Sequence, residues 1–506
     1  MSSASLPANR WFVLVAVTLA FLPAVLDMTI LHVAVPTLTQ SLNASGTEVL
    51  WIIDIYPLLM AGLLVPMGTL ADRVGNRKIL LIGLVIFGVA SAWAAFAQSA
   101  AMLIAARVLL ALGGSMILPC VLGLIRKTFE DEGERAIALG LWGMVGAAGA
   151  AVGPLVGGAL LEHFWWGSVF LINVPIMFVV VPACYFLLPR SEQTTPGKWA
   201  IGQALLLIAG MISLVYGIKA GFGGKQPVTI VILIVAFGFA ALTVFARKQL
   251  HSSKPMLDLS LLSHPAIVAG LIMAIVSSGA LAGVELTLAQ ELQYVLGKTP
   301  LQAGVFMIPI MAAAAVAGPV AGYLSNWFGL RLVATLSLAI SAVALVGLAR
   351  RDFHEPGILV PFALAVLGLT LSIALTASSI AIMGSVDASK GGAAGSLEAT
   401  GYELGTGLGI SLFGVFTSAV FSRAIELPSH LAQDLAAQAS RTIGDTDIVA
   451  GLIAGEQGAA LIEAGKVAFT QAHAVLLMTA AGVIAMLAVV MFFTLAGYRN
   501  SSRVPH

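Results

Sequence analysis

The chain has 506 residues, of which 59% are hydrophobic and only 10% are charged, and its mean hydropathy is +1.00. This composition excludes a water-soluble domain, because too few polar residues are present to cover its surface. A net charge of +1 provides neither a basic surface for nucleic acid nor an acidic tail for a basic partner. The two cysteines, Cys120 and Cys184, lie in separate apolar runs, which argues against a disulfide framework or a metal site.

Fourteen apolar runs are long enough to cross a bilayer, whose core of about 30 Å takes roughly 20 helical residues. Because lipid offers the backbone no hydrogen-bond partner, runs of this length must be helical. The sequence therefore predicts an all-α integral membrane protein with fourteen transmembrane helices. Their predicted limits are 11–34, 49–70, 78–98, 101–125, 136–160, 168–188, 199–220, 227–247, 267–293, 301–324, 330–350, 357–383, 396–421 and 473–497.

The distribution of lysine and arginine predicts the orientation. Sixteen of the 25 lie in segments on the side of the N-terminus, eight, including Lys219, lie on the other side, and Arg107 lies within a helix. Since cytoplasmic segments carry the excess of positive charge, both termini are expected to be cytoplasmic. The first run contains Asp27 before any small-residue cleavage site, so we expect it to be a retained helix and not a signal peptide.

Charged side chains stand inside three of the first four runs: Asp27, Asp54 and Arg107. Their depths match, so the sequence predicts one polar cluster, in which moving Arg107 or admitting a cation changes whether an aspartate holds a proton. A charge in a membrane helix costs about 2.5 to 3.5 kcal/mol, and such residues usually face a cavity, a partner or a proton path. A static ion-pair network is the alternative. His32 is either a proton relay or a hydrogen-bonded helix-end residue.

The loop after the second run, from Gly68 to Lys78, is a candidate reversible latch. Asp72 and Arg73 would pair with a neighbouring helix terminus and be released, whereas the alternative is a solvated turn that only sets topology. The fifth run has glycines at spacings of three and four, which predict a close helix seam and a pivot; a purely structural interface is the alternative. These residues are Gly143, Gly146, Gly149, Gly153 and Gly157, with Pro154 predicted to bend the helix.

An internal repeat relates the two halves of the chain. The Gly68, Leu70, Gly75 and Arg77 pattern recurs at an offset of 254 as Gly322, Leu324, Gly329 and Arg331. It predicts two pseudo-symmetric six-helix bundles that rock around a midplane site, although coincidence among glycine-rich helix ends would give the same pattern. The predicted units are 1–190, an inserted helix pair at 191–255, and 256–506.

The second half holds Glu285 in the ninth run and Glu398 and Glu403 in the thirteenth. Glu285 and Glu403 are expected to face a cavity, whereas Glu398 is equally well explained as a helix cap. Glu291 is expected to be solvated near the outer interface. With Arg107 as the only base within a helix, these acids predict a cavity that attracts cations, aided by aromatic rings near the carboxylates. The candidate rings are Trp51, Tyr56 and Tyr402.

Residues 424–470 join the last two runs and contain apolar residues at helical spacing. This pattern predicts an amphipathic helical hairpin on the outer mouth, with a disordered loop as the alternative.

At these motifs the chain resembles the major facilitator superfamily, and within it the fourteen-helix drug:proton antiporters. The Gly68 to Lys78 loop is similar to the superfamily loop between helices 2 and 3. The segment from Gly149 to Gly158 resembles the helix 5 motif of exporters, and Arg107 with Gly113 and Gly114 resembles the helix 4 motif. Three features resemble the branch that exports methyl viologen and quaternary ammonium biocides: His32, the segment from Trp51 to Tyr56, and the segment from His163 to Gly167. The chain departs from the family in His32, where asparagine is usual, and in Leu110, where glutamine is common.

The resemblance implies that acids matching Asp27, Asp54, Glu398 and Glu403 handle protons or cations, and that Arg107 is tied to proton coupling. The predicted function is therefore exchange of protons for lipophilic cations by a monomer in the bacterial inner membrane, without a cofactor or metal. Proton symport of a neutral nutrient is the alternative. An enzyme is not expected, because the sequence has no nucleophile motif or metal-ligand spacing.

Overall fold

The computed structural model describes residues 10–190, 201–223, 226–252, 255–351, 353, 357–386, 391–428, 431–453 and 455–497. Over these residues the regular secondary structure is entirely helical. Helices satisfy every internal backbone hydrogen bond within one segment, as a chain of this hydropathy needs in lipid. The predicted all-α membrane fold is confirmed.

The first bundle contains six spans, of which the sixth is broken near Ile172. Its helices are α1 (Arg10–Leu42), α2 (Gly46–Val74), α3 (Asn76–Ala95), α4 (Ala100–Thr128), α5 (Glu132–His163), α6 (Ser168–Leu171) and α7 (Asn173–Leu187). Two long helices follow, α8 (Ile201–Gly223) and α9 (Val228–Leu250). They pack on each other, and α8 also packs on α2 of the first bundle and on the helix Gly391–Ala424 of the second bundle. The inserted pair therefore touches both halves of the molecule.

The second bundle repeats the first, with its second span divided into three helices. Its helices are α10 (Pro265–Gln290), α11 (Pro300–Phe306), α12 (Ile308–Ala315), α13 (Ala317–Phe328), α14 (Leu330–Ala349), α15 (Leu359–Met383), α16 (Gly391–Ala424) and α19 (Gly455–Thr494). Among the described residues, thirteen helices are long and apolar enough to cross a membrane, and α12 with α13, bent by 50°, adds one more. The prediction of fourteen spans is confirmed for the described residues.

Matching glycines show the repeat in the backbone. Gly75 ends α2 and begins α3, and Gly329 ends α13 and begins α14. Their φ angles are 109° and 83°, a region that glycine enters without steric penalty. The same sharp turn therefore reverses the chain at the same place in each bundle, and the predicted pseudo-symmetry is confirmed.

The arginine two residues after each glycine makes the same contact. Arg77 donates a hydrogen bond to the carbonyl of Tyr185 at 2.6 Å, and Arg331 donates one to the carbonyl of Phe492 at 2.7 Å. Each guanidinium also lies over the ring of the residue it binds, at 5.1 and 3.8 Å from the ring centre. Both arginines thus fasten the turn to the last span of their own bundle.

Two short helices, α17 (Gln433–Ala439) and α18 (Ile443–Ile453), lie within the segment expected to form a hairpin. The amide of Gln40 in α1 donates to Asp447 at 2.7 Å, and Thr442 packs on Gly46 at the start of α2. We call the end of the molecule that carries α17 and α18 the hairpin end. The opposite end, where α1 begins at Arg10, is the terminal end.

Candidate functional site

A cavity of about 260 Å³ lies between the two bundles. Its walls come from α1, α2, α4 and α5 on one side and from α10, α15 and α16 on the other. The polar and charged residues in its wall are Thr29, His32, Tyr56, Arg107, Ser278, Glu285, Tyr402, Glu403 and Thr406. A midplane cavity shared by two repeats is where transporters of this architecture hold their substrates.

Asp27 and Arg107 form a buried ion pair at this wall. The guanidinium binds the carboxylate, and both side chains are 1% exposed. Arg107 Nε also donates to the carbonyl of Ile52 at 3.0 Å, and the guanidinium lies 4.6 Å from the ring centre of Tyr56. The Tyr56 ring fits between α2 and α4 because residue 114 is a glycine, and a side chain there would collide with the Tyr56 hydroxyl. Arg107 therefore joins three helices around one carboxylate.

Asp54 is not part of that pair, and the prediction of a single cluster of three charges is wrong. Its carboxylate binds the ammonium of Lys219, with 2.5 Å between Nζ and Oδ2, and accepts a hydrogen bond from Ser411. The same ammonium lies 3.7 Å from the ring centre of Trp51. Asp54 and Trp51 face the inserted helix α8, because the register of α2 turns them away from Arg107.

Lys219 also corrects the predicted charge balance of the membrane interior. From the sequence, Lys219 was predicted to lie outside the membrane, so that Arg107 was the only base expected within a helix. Lys219 is 5% exposed and lies inside the span Ile201–Gly221. The position of Lys219 within the seventh apolar run could have indicated that it is buried. It was not used in this way, because a lysine near a helix end usually extends its amine to the membrane interface.

The acids of the second bundle have different surroundings. Glu285 lines the cavity and lies 3.3 Å from Nδ1 of His32, so the two side chains connect α10 with α1 across the bundle interface. Glu403 also lines the cavity, and its Oε2 has no hydrogen-bond partner among the described residues. Tyr402 lies beside it. Glu398 accepts a hydrogen bond from Ser379 and, like Trp51, is not among the residues that line the cavity.

Glu291 is buried, and the expectation of a solvated position is wrong. Its side chain is 2% exposed, accepts a hydrogen bond from Thr470 at 2.7 Å and lies 3.6 Å from Nδ1 of His473. His473 stacks on Phe353 at 5.8 Å. A glutamate near the end of an apolar run is ambiguous from the sequence, because its surroundings depend on the helices packed against it.

The glycines of α5 make two kinds of contact. Gly149, Gly153 and Gly157 face α1, where the space for a side chain is taken by Leu22, Thr29 and Ile30. Gly158 faces the other bundle, because a Cβ built on it would lie 2.6 Å from the Cα of Leu301 in α11. The carbonyl of Pro154 lies similarly close to Gly304 of α11. The bundles therefore touch backbone to backbone at the hairpin end.

The terminal end is packed less closely along α5 and α13. A Cβ on Gly140, Gly143, Gly318 or Gly322 would meet no heavy atom of the described residues within 4 Å. The segment from Gly68 to Lys78 was expected to be a loop, but it is helical up to Val74 in α2 and again from Asn76 in α3, because the positive φ of Gly75 makes the turn in one residue. Gly68 approaches Pro119, Asp72 is exposed and Arg73 is partly buried. The latch role of this segment stays a prediction.

Comparison with known proteins places this architecture in a family. The family model described as Major Facilitator Superfamily matches residues 17–409. The methyl viologen resistance protein SmvA of Salmonella typhimurium is 45% identical over 488 residues, which cover 96% of this chain and 99% of that protein. The multidrug efflux pump LfrA of Mycolicibacterium smegmatis is 34% identical, over 92% of this chain and 93% of that protein.

Solved structures agree on the fold. The crystal structure of a bacterial homolog to the human lysosomal transporter Spinster, in an inward-facing and unoccupied conformation, has a TM-score of 0.68 and 18% identity, and it covers 97% of this chain and 98% of that one. A mutant of the nucleoside transporter NupG has a TM-score of 0.61 and 12% identity, over 95% of this chain and 100% of that one. The family match and these relatives make the protein a transporter and not an enzyme. The chain belongs to the major facilitator superfamily.

Proposed function

We propose that this transporter exports lipophilic cations from the bacterial cytoplasm in exchange for protons, as a monomer in the inner membrane. The main observation in support of this proposal is the acidic cavity between the bundles, with Glu285 and Glu403 in its wall and the Asp27–Arg107 pair beside it. The substrate class comprises quaternary ammonium compounds, cationic dyes and compounds like methyl viologen. The names of the relatives, which include methyl viologen resistance and multidrug efflux, support this class.

The composition of the cavity supports cation recognition. Arg107 is already paired with Asp27, so Glu285 and Glu403 are the acidic groups of the wall that a bound cation can meet. Tyr56 and Tyr402 provide ring faces in the same wall, and a cation against a ring gains about 0.5 to 2 kcal/mol. The volume of about 260 Å³ is slightly below the range typical of drug-sized ligands, about 300 to 1,000 Å³. Larger substrates would therefore require the bundles to separate further.

The Asp27–Arg107 pair supports proton coupling. Arg107 is held by carbonyls of α2 as well as by Asp27, so it can stay in place when the carboxylate takes a proton. A proton on Asp27 would leave the arginine charge uncompensated at the cavity wall and expel a bound cation. Proton and cation would then occupy the site in turn, which is the requirement for exchange.

The contacts between the bundles support alternating access. They include His32 with Glu285 and Gly158 with Leu301, both toward the hairpin end, whereas the glycines at the terminal end have space around them. With both termini in the cytoplasm, this arrangement opens the cavity inward. Rocking of the bundles would break the contacts at the hairpin end and form new ones along α5 and α13.

The test is ethidium efflux from proteoliposomes with an imposed pH gradient, with and without a proton uncoupler. We expect the uncoupler to abolish uphill transport by the wild type, and Asp27→Asn to resemble the uncoupled wild type. Glu134→Gln is the matched control, because Glu134 also pairs with an arginine, Arg10, but at the surface. Efflux that is insensitive to the uncoupler would refute proton coupling, and accumulation of neutral nutrients in place of ethidium would favour the symport alternative.

A further inference from the structure

Lys219 occupies a site with the chemistry of an organic-cation site. Its ammonium contacts the carboxylate of Asp54 and the ring face of Trp51, and the same carboxylate accepts a hydrogen bond from the Ser411 hydroxyl. Asp54 is 0% exposed and Lys219 is 5% exposed. Because the lysine is part of α8, this cation is tethered and cannot be exported.

A second, polar cavity adjoins the Asp54–Lys219 pair. It has a volume of about 460 Å³, lies at the hairpin end and has Lys219 in its wall. We call it the vestibule; its other polar lining residues include Ser418, Ser422, Arg423, Arg441 and Asp445. Asp54 does not line it, so Lys219 stands between the carboxylate and this polar space. The vestibule shares no lining residue with the central cavity.

The charges around the pair separate it from the path of the exported cation. Asp54 faces Lys219 on α8 and Ser411 on α16, while Arg107 on α4 binds the neighbouring carbonyls of Ile52 and Ile53. The vestibule contributes Arg423, Arg441 and Asp445, so with Lys219 it holds three basic groups and one acidic group. This balance repels a bulky organic cation but leaves room for water, which can carry protons.

We propose that Lys219 is the tethered counter-ion of a proton site at Asp54, and that the vestibule supplies this site with protons from the hairpin end. This proposal deepens the proposed function and rests on it. Water in the vestibule accepts a proton from the solution at the hairpin end and passes a proton to an oxygen of Asp54, so the water is regenerated and no cation has to remain among the basic groups. The ammonium of Lys219 keeps its three protons and its charge and moves into the vestibule. Loss of the proton reverses both movements.

The position of the pair explains how one proton would affect both bundles. Asp54 belongs to α2, Ser411 to α16 and Lys219 to α8, which packs on both. The ionised carboxylate holds all three helices together close to the place where Leu58 packs on Gly407. A neutral carboxyl group releases the ammonium and weakens this junction at the hairpin end. The inserted helix pair would thus supply a charge that takes part in coupling.

Removing both charges together distinguishes coupling from a structural role. If the pair only stabilises the fold, Asp54→Asn combined with Lys219→Met leaves no unpaired buried charge at this site, and the variant should transport with full response to the pH gradient. We expect the double variant to reach the membrane and catalyse downhill ethidium efflux, but at a rate that the pH gradient no longer increases. Lys466→Met, at a partly exposed lysine of α19, is the control and should keep the response.

Proton-driven efflux by the double variant equal to that of the wild type would overturn the proposal. Failure of the wild type itself to respond to a pH gradient would instead refute the proposed function on which it rests. The two failures are therefore distinguishable in one set of proteoliposomes.

Blocking the vestibule tests the proposal without touching the pair. Ser422 is exposed in the vestibule wall, and Cys120 and Cys184 are buried and can be replaced by alanine to give a cysteine-free background. We expect Ser422→Cys to lose its response to the pH gradient once it carries a bulky, membrane-impermeant thiol reagent. Gln433→Cys, exposed on α17 and outside the vestibule, is the control. Equal responses of the two labelled variants would overturn the proposal.

Discussion

The contact between Gly158 of α5 and α11 offers a direct test of how the bundles close. Alanine at this position places a Cβ 2.6 Å from the Cα of Leu301, about 0.8 Å closer than an ordinary contact of 3.4 Å. The obstacle is backbone, so no side chain can rotate away. Overpacking of this kind typically costs about 1 to 3 kcal/mol.

This penalty applies only while the bundles touch at the hairpin end. Gly158→Ala should therefore shift the equilibrium toward the state in which α5 and α11 are apart. An energy of about 1 to 3 kcal/mol corresponds to a change of about 5- to 150-fold in the ratio of the two states. Gly482→Ala, at an exposed position of α19, is the matched control, because a Cβ there meets nothing within 4 Å and the residue lies outside the α5, α11 and α13 contacts.

The assay is electron–electron distance measurement between spin labels at the hairpin end. Labels at Glu162→Cys and Gln302→Cys, both exposed and on opposite bundles, report the separation of α5 and α11 in the cysteine-free background. We expect Gly158→Ala to transfer population from the short to the long distance and Gly482→Ala to leave the distribution unchanged. Identical distributions for both variants, or a shift with Gly482→Ala alone, would refute the reasoning.

Other contacts give four further predictions. Asp27→Asn leaves a buried arginine without its carboxylate and should reduce the free energy of unfolding by about 3 to 5 kcal/mol. Glu134→Gln, at an exposed pair, should change it by less than about 1 kcal/mol. Thermal unfolding in detergent compares the two variants, and equal shifts of the midpoint would contradict the role of burial. Glu285→Gln should weaken binding of a dication such as methyl viologen more than binding of a neutral substrate, measured by calorimetry; equal losses would argue against charge recognition. His32→Asn should tighten ethidium binding, because the imidazole lies 3.3 Å from the Glu285 carboxylate and takes up space that a bound cation would use; calorimetry measures the affinity, and an unchanged value would contradict this explanation. Arg331→Ala removes one hydrogen bond and one ring contact and should lower stability by about 1 to 3 kcal/mol, as judged by thermal unfolding; an unchanged midpoint would show that this contact contributes nothing.

Local features of the sequence were enough to predict the fold. Hydropathy decides whether a segment of about 20 residues can remain in lipid, and this property needs no knowledge of neighbouring helices. The repeated glycine and arginine positions likewise predicted equivalent turns, because a positive φ at Gly75 and Gly329 is a local requirement of the backbone. Depth along the helices placed Asp27, Asp54 and Arg107 at one level, but it did not show which aspartate the arginine binds.

Only the tertiary structure decided which way each charged residue faces. Asp54 and Arg107 lie at matching depths, yet Asp54 pairs with Lys219, because the rotation of α2 and its contact with the inserted helix α8 are set by packing. The same holds for Glu291 beside His473, and for His32, which reaches Glu285 only because the two bundles meet. Depth in the membrane can be read from the chain, but rotation about a helix axis and the identity of the neighbour depend on contacts between distant segments.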